Sequence, residues 1–151
     1  MTRHVLACDP GLATGLSFFS KEDDEDPILL YSWEVTMLTF APIVRWAFEA
    51  HPNTEPVCEK FTITARTAKL SQAPYSLEHI GILKQIMIDN GRDPERLPLQ
   101  LPSDAKEMFP NSALKKLNYW HVGGEGHALD SIRHGLLYFV KTGWTARGLL
   151  S

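Results

Sequence analysis

The sequence has little of three things: cysteine, long apolar runs and positive charge. Its two cysteines, Cys8 and Cys58, each lie in a short apolar run, which favours small buried side chains over a disulfide or a zinc site. No uninterrupted apolar run approaches the roughly 20 residues that a membrane span needs, and the first residues lack the basic-then-apolar pattern of a signal peptide. We therefore expect a cytoplasmic protein with no membrane partner.

The shortage of positive charge bears on the possible partners. The formal net charge is -3, from 15 Lys and Arg against 18 Asp and Glu. Phosphate binding usually leaves a basic footprint, so a nucleic-acid enzyme of this charge needs a local basic surface. The side chains that could form one are Arg45, Lys60, Arg66, Lys69, Lys106, Lys115, Lys116 and Arg133.

The length and the apolar pattern predict one α/β domain over residues 1–151. The element order is β-β-β-α-β-α-β-α, which places a five-stranded mixed sheet, three antiparallel strands and then two parallel ones, between flanking helices. Pro98 assigns the fifth strand to a sheet edge. The predicted strands cover 4–8, 15–20, 28–35, 55–60 and 96–101, and the predicted helices cover 40–51, 76–90, two short segments within 103–120, and 127–141.

Carboxylates stand at the ends of two predicted strands. Asp9 ends the first strand and Glu59 ends the fourth, each directly after a cysteine. Because strand side chains alternate, the cysteines face the opposite way, and both carboxylates project from one sheet edge if the two strands are neighbours. The last helix adds His127, Asp130 and His134 at spacings of three and four, which lie on one helix face.

This set of side chains predicts a site for divalent metal. Asp9, Glu59 and Asp130 would repel one another around one point unless cations lay between them, and His127 adds an imidazole ligand. Two ions roughly 4 Å apart could activate a water and stabilise the leaving oxygen in phosphodiester hydrolysis. The sequence therefore favours a metal-dependent nuclease.

Each residue of the set has a structural alternative. Asp9, with Pro10 and Gly11, is also typical of a simple turn, and His127 could merely begin a helix after flexible glycines. Asp130 could pair with Arg133 on an exposed helix face or with His134, for which a supporting role is the favoured interpretation. Lys115 and Lys116 are interpreted as an ordinary solvated pair unless the protein binds nucleic acid.

The order of these motifs resembles the RuvC-like Holliday junction resolvases, especially their small phage-encoded members. DPG at 9–11, CEKF at 58–61 and HALDSIRHGLLY at 127–138 carry the resemblance, with PSDAK at 102–106 and SALKK at 112–116 between them. The resemblance implies an RNase H-like fold, a homodimer, and nicking of branched DNA that depends on Mg²⁺ or Mn²⁺, with two ions per active site. For a phage protein, the compartment would be the host cytoplasm.

The resemblance also implies roles for single residues. Asp9, Glu59 and Asp130 would be the metal-binding acids, and His127 would stand where other members carry either Asp or His. Lys106 and Lys115 would correspond to catalytic lysines near the scissile phosphate. The DNA-binding candidates are Phe61, Arg66, Lys69 and Lys116.

This chain departs from the family pattern at one DNA contact. Many relatives carry an aromatic residue three places after the strand-ending acid, where it wedges into the junction. Here Phe61 is two places after Glu59, and Thr62 holds the third place. The geometry by which a junction is recognised is therefore expected to differ, and flaps and forks are further candidate substrates.

Two other functions fit the same sequence. One is the related nuclease family that trims precursor ribosomal RNA, which shares the fold and an early Asp-x-Gly turn. The other is a catalytically silent protein that binds branched DNA and has kept the fold. Comparing cleavage of DNA junctions with cleavage of structured RNA distinguishes the RNA nuclease from the junction resolvase. Junction binding without nicks in Mn²⁺ would indicate the silent protein.

Overall fold

The computed structural model describes residues 1–66, 69, 73–123 and 126–150, and within them five strands form one mixed sheet. The strands are β1 (Arg3–Asp9), β2 (Thr14–Lys21), β3 (Ile28–Val35), β4 (Glu55–Glu59) and β5 (Leu99–Gln100). The helices are α1 (Met37–Ala50), α2 (Ala73–Asp89), α3 (Pro102–Met108), α4 (Asn111–Lys116) and α5 (His127–Lys141). Short 3₁₀ turns lie at Pro94–Arg96 and Arg147–Leu149.

The sheet has the order β3-β2-β1-β4-β5. The first three strands pair antiparallel, whereas β4 lies parallel to β1 and β5 lies parallel to β4. This is the predicted mixed sheet of three antiparallel and two parallel strands, with helices on both faces. The fold prediction is therefore confirmed, including the edge position of β5.

Alternation along the strands divides the core into two layers. Val5, Ala7 and Val57 belong to the apolar layer under α3, α4 and α5. Leu6 and Cys8 belong to the layer under α1 and α2 on the other face. Since Asp9 follows Val5 and Ala7 at the same period of two, its side chain lies on the α5 face.

The two cysteines are neighbours across the sheet. Cys8 and Cys58 are register partners between β1 and β4, and both are buried, free thiols. The hydrogen bond with Cys58, together with burial, raises the pKa of the Cys8 thiol. The interpretation of these residues as small buried side chains is thus confirmed. Their pairing also shows how β1 and β4, the strands that carry the acids, are aligned.

Several predicted boundaries were wrong by a few residues. Strand β5 is limited to Leu99–Gln100, because a 3₁₀ turn occupies Pro94–Arg96. Pro98 has no N–H, so its backbone only accepts a hydrogen bond, from the N–H of Cys58. Helix α2 begins at Ala73, earlier than predicted. Of the predicted polar loop over 62–73, residues 67, 68 and 70–72 lie outside the described residues, as does Gly124 in the predicted flexible segment before α5.

Within the part of the chain that the structure describes, none of the helices is both long and apolar enough to cross a membrane.

Candidate active site

Two carboxylates emerge side by side from the sheet. Cys8 pairs with Cys58 in the parallel register, so the next residues, Asp9 and Glu59, end β1 and β4 at the same sheet edge. Glu59 lies on the same face as Val57, toward α5, as Asp9 does. Asp9 is 6% exposed, and Glu59 is among the groups that raise its pKa. The predicted pairing of the two strand-end acids is therefore present in the fold.

The electrostatic environment of Asp9 is strongly negative. Burial raises the pKa of Asp9 to about 9, and the charges of Glu59 and Asp130 add to the effect of burial. Lys106 acts in the opposite direction. These interactions place Asp130 of α5 and Lys106 of α3 in the electrostatic environment of the strand-end acids. Such a concentration of acids favours a cation or a shared proton at neutral pH.

Close approach of α5 to the sheet brings its first residues to the acids. A Cβ on Gly15 would lie 1.9 Å from the carbonyl oxygen of His127, so only glycine allows this contact. Glu34, the register partner of Gly15 on β3, accepts a hydrogen bond from the backbone N–H of His127 at 2.9 Å. Gly126 caps the helix at a φ of 93°, a conformation that favours glycine.

The side chains of the first helical turn face two different partners. His127 Nδ1 lies 3.4 Å from Asp9 Oδ2, and the His127 side chain is 31% exposed. Asp130 Oδ1 accepts a hydrogen bond of 2.7 Å from Arg133 Nη1. Arg133 is 7% exposed and also donates to the carbonyl of Phe109 and to Asn111. The Asp130–Arg133 alternative is thus present as a contact, but it is partly buried and not on an exposed helix face.

The second strand-end acid has its own histidine. His134 Nε2 lies 2.8 Å from Glu59 Oε2, and the His134 side chain is 1% exposed. Gln100 of β5 donates from Nε2 to the carbonyl oxygen of His134 at 2.8 Å and lies 3.3 Å from His134 Nδ1. The supporting role favoured for His134 agrees with these contacts.

An open cleft of about 720 Å³ lies beside Asp130, on the side of α3 and α4. Asp130 and Arg133 line one side, and Lys106 and Trp120 are also part of the lining. Lys115 Nζ lies 4.6 Å from the centre of the Trp120 ring. The two lysines predicted near a scissile phosphate therefore flank one cleft, and both are exposed.

The predicted DNA-binding side chains are mostly at the surface. Arg66, Lys69 and Lys116 are exposed, and Phe61 is half-buried. Nothing in the described contacts joins Phe61, Arg66 or Lys69 to the acids, although these residues follow Glu59 closely in the chain. Their DNA contacts stay predictions.

The eight candidate cations do not all lie on one exposed face. Arg133 is buried against Asp130 and Asn111, because its guanidinium group joins α5 to the start of α4. Arg45 lies on α1, on the opposite face of the sheet, where Nη1 contacts Asp89 Oδ2 at 3.1 Å.

The four predicted ligands do not form a ready-made metal site. Over residues 1–66, 69, 73–123 and 126–150, no three His, Cys, Asp or Glu side chains are arranged to hold an ion. Asp9, Glu59 and Asp130 each have a protein partner, namely His127, His134 and Arg133 respectively. The chemistry of the set still suits a hard divalent cation, because the carboxylates of Glu59 and Asp130 and the imidazole of His127 surround Asp9, a buried acid with a raised pKa.

Sequence reasoning missed three supporting residues, Gly15, Glu34 and Gln100, whereas it named Arg133 as a possible partner of Asp130 but on an exposed helix face. Gly15 and Glu34 lie within the predicted strands, but their contact with the start of α5 depends on how that helix packs. The spacing of three between Asp130 and Arg133 was the one sequence signal for a pair.

The chain is similar to known proteins in structure but not in sequence. No protein-family model matches the chain, and no curated protein matches it in sequence. The fold is similar to Thermus thermophilus RuvC in complex with Holliday junction substrate, with a TM-score of 0.70 and 13% identity over 93% of this chain and 96% of that one. A second Thermus thermophilus RuvC structure gives a TM-score of 0.69, 14% identity and the same coverage.

At this level of identity, the similarity shows the fold alone. The chain has the RuvC-like form of the RNase H-like fold, over almost its full length and almost the full length of those neighbours. The resemblance in the sequence motifs and the match in topology therefore agree about the architecture.

Proposed function

We propose that this protein is a metal-dependent endonuclease that cuts branched DNA, with four-way junctions as its principal substrate. The observation that carries the proposal is the grouping of Glu59 and Asp130 around the buried Asp9 carboxyl, whose pKa is raised to about 9, within a RuvC-like fold. One of the RuvC structures that this fold resembles is a complex with a Holliday junction substrate. That substrate is the starting point for this chain.

Magnesium or manganese, two ions per site, would be held by Asp9, Glu59, Asp130 and His127. Three carboxylates are oxygen donors of the kind that these cations prefer, and the imidazole suits manganese better than magnesium. When bound, the ions would supply an activated water and charge neutralisation at the leaving oxygen. Binding requires His127 and Asp130 to turn from their present partners, Asp9 and Arg133, since the four described ligands do not converge as they stand.

The other residues around the acids would bind and orient the DNA backbone. Lys106 already lowers the pKa of Asp9 through its charge, so it lies close enough to offset a phosphate at the same place. Lys115 stands over the ring of Trp120 beside the cleft and adds a second cation there. Phe61, Arg66, Lys69 and Lys116 would contact the arms of the junction away from the cut.

A homodimer would complete the function. Two active sites on two subunits would cut opposed strands of one junction, and the local cations of two chains would join into one DNA-binding surface despite a net charge of -3 per chain. The compartment would be the cytoplasm, or that of the host for a phage protein.

The direct test is an assay on a four-way junction and a matched linear duplex, with Mg²⁺, Mn²⁺ or a chelator. We expect nicks in the junction only, and only with metal, and we expect Asp130→Asn to remove them. Asn keeps the size of the side chain and its bond to Arg133 while it removes the charge. Cleavage of structured RNA in preference to the junction would favour the ribosomal RNA nuclease, and junction binding without nicks would favour a silent binding protein.

A further inference from the structure

A chain of hydrogen bonds extends from Glu59 into the protein. Glu59 Oε2 lies 2.8 Å from His134 Nε2, and Gln100 Nε2 lies 3.3 Å from His134 Nδ1. His134 and Gln100 are 1% and 2% exposed, so water does not compete for these bonds. Three secondary structure elements, β4, α5 and β5, each contribute one side chain.

The contacts determine where the proton on His134 lies. The side-chain atom of Gln100 that is 2.8 Å from the carbonyl oxygen of His134 must be the amide nitrogen, because a carbonyl only accepts. The same NH₂ group then presents its second hydrogen to Nδ1. Nδ1 is therefore the acceptor, and in the neutral ring the hydrogen is on Nε2, where it is donated to Glu59.

This arrangement leaves one polar atom without a partner. Gln100 Oε1 is buried and has no hydrogen-bond partner among the described residues. Buried acceptors are rarely left in this state. An apolar side chain at position 100 would avoid the unpaired oxygen, but it would also remove the donor that sets the form of His134.

We propose that Gln100 and His134 are positioning residues that orient the Glu59 carboxylate toward Asp9 for metal binding. Gln100 selects the tautomer of His134 with hydrogen on Nε2. His134 then donates that hydrogen to Oε2 of Glu59 and so fixes the direction of the carboxylate. Partners of this kind fix the direction of a metal-binding side chain. The inference depends on the proposed function only in that Glu59 is taken as a metal ligand.

The first test reads the histidine directly. Full-length protein labelled with ¹⁵N-histidine is studied without divalent metal, and two-bond ¹H–¹⁵N correlations identify the protonated nitrogen of each ring. The signals of His134 are assigned by their loss in His134→Gln. In the neutral ring we expect hydrogen on Nε2. Hydrogen on Nδ1 of the neutral ring would overturn the proposal.

The second test measures metal binding without DNA. In His134→Gln the side-chain amide keeps a donor near the place of Nε2, whereas in His134→Asn the amide is too short to reach Glu59. Calorimetric titration with Mn²⁺ is expected to give near wild-type affinity for His134→Gln and a loss of about 10- to 100-fold for His134→Asn and Gln100→Leu. Thermal melts check that each variant is folded, and the NMR result on the wild type does not depend on them.

The outcomes separate this inference from the proposed function. Equal Mn²⁺ affinity in all folded variants would overturn the positioning role even if the protein cuts junctions. Normal metal binding with the expected differences, but no cleavage of any branched DNA, would overturn the proposed function and leave the positioning role intact. A wild-type chain that binds no divalent metal would overturn both.

Discussion

The two strand-end acids each face a histidine of α5, yet the two pairs are built differently. Asp9 and His127 are 3.4 Å apart, and the His127 side chain is 31% exposed. Glu59 and His134 are 2.8 Å apart, and the His134 side chain is 1% exposed. His127 occupies the first turn of α5, at the mouth of the site, whereas His134 lies two turns further along and is covered by β5.

This difference separates a side chain that can turn to a ligand from one that supports the fold. A long, partly exposed contact is easily exchanged for a metal ion or a phosphate. A short, buried contact is costly to break, because both partners would lose their hydrogen bonds away from water. Asp9 and His127, the outer pair, are therefore suited to binding a ligand. Glu59 and His134, the inner pair, are suited to supporting the site, although both pairs look alike in the sequence.

The largest expected effect comes from Asp9→Asn, which removes the acid of the outer pair. Junction cleavage should fall by at least about 100-fold, beyond the 10- to 100-fold typical for partners outside the ligands of a metal. A gel assay with Mn²⁺ measures this. Cleavage by Asp9→Asn at close to the wild-type rate would remove Asp9 from the metal-binding set.

The same variant should change the pH dependence of stability. The pKa of Asp9 is raised from 3.8 to about 9 in the folded state, so the folded protein holds a proton that the unfolded chain has lost between those values. Stability of the metal-free protein therefore falls as pH rises across that interval. In melts from pH 5 to 9, the stability of Asp9→Asn should fall less than that of the wild type. At neutral pH its free energy of unfolding should exceed the wild-type value by at least about 1 kcal/mol. Parallel curves for both proteins would contradict the raised pKa.

The contact between α5 and β2 offers a way to disturb the outer pair alone. In Gly15→Ala the new Cβ would overlap the backbone of His127, so the start of α5 must shift. We expect a loss of about 1–3 kcal/mol in the free energy of unfolding and reduced cleavage. Gly81→Ala on α2 is the matched control, since a Cβ there meets nothing within 4 Å among the described residues. If Gly15→Ala behaves like its control, the close approach does not set the site.

Stability should distinguish the two histidines. His134→Ala leaves Glu59 and Gln100 without their partner and is expected to cost about 1–3 kcal/mol. His127→Ala removes a half-exposed side chain and should stay within about 0.5 kcal/mol of the wild type. Urea unfolding at neutral pH without metal measures both. Equal losses would abolish the distinction between an outer and an inner pair.

The smallest expected effect concerns the choice of metal. Because imidazole suits manganese better than magnesium, the wild type should cut faster with Mn²⁺ through His127. His127→Asp, which supplies an oxygen ligand, should move the ratio of the two rates toward Mg²⁺ by a few-fold. Rates measured at saturating concentrations of each metal provide the test. Equal rates with both metals, unaffected by His127→Ala, would exclude a ligand role for this residue.

Much of the architecture could be predicted because it depends on local periodicity. Strand β3 and helix α5 have the predicted bounds, and the acids at the ends of β1 and β4 follow from the alternation of buried side chains. The errors occurred where local signals are weak. Strand β5 has two residues, and its place next to β4 depends on backbone bonds to Cys58 and Lys60 that no local pattern reveals.

The sequence by itself determined the strand-end acids, the histidines of the last helix and the order of the elements, since these depend on spacings of two and of three to four residues. Only the tertiary structure decided which partner each side chain takes. Arg133 turns inward to Asp130, and Gln100 reaches His134, because the packing angle of α5 on the sheet brings distant residues within hydrogen-bond distance. The different roles of His127 and His134 follow from that packing, because burial, and not residue type, separates an exchangeable contact from a fixed one.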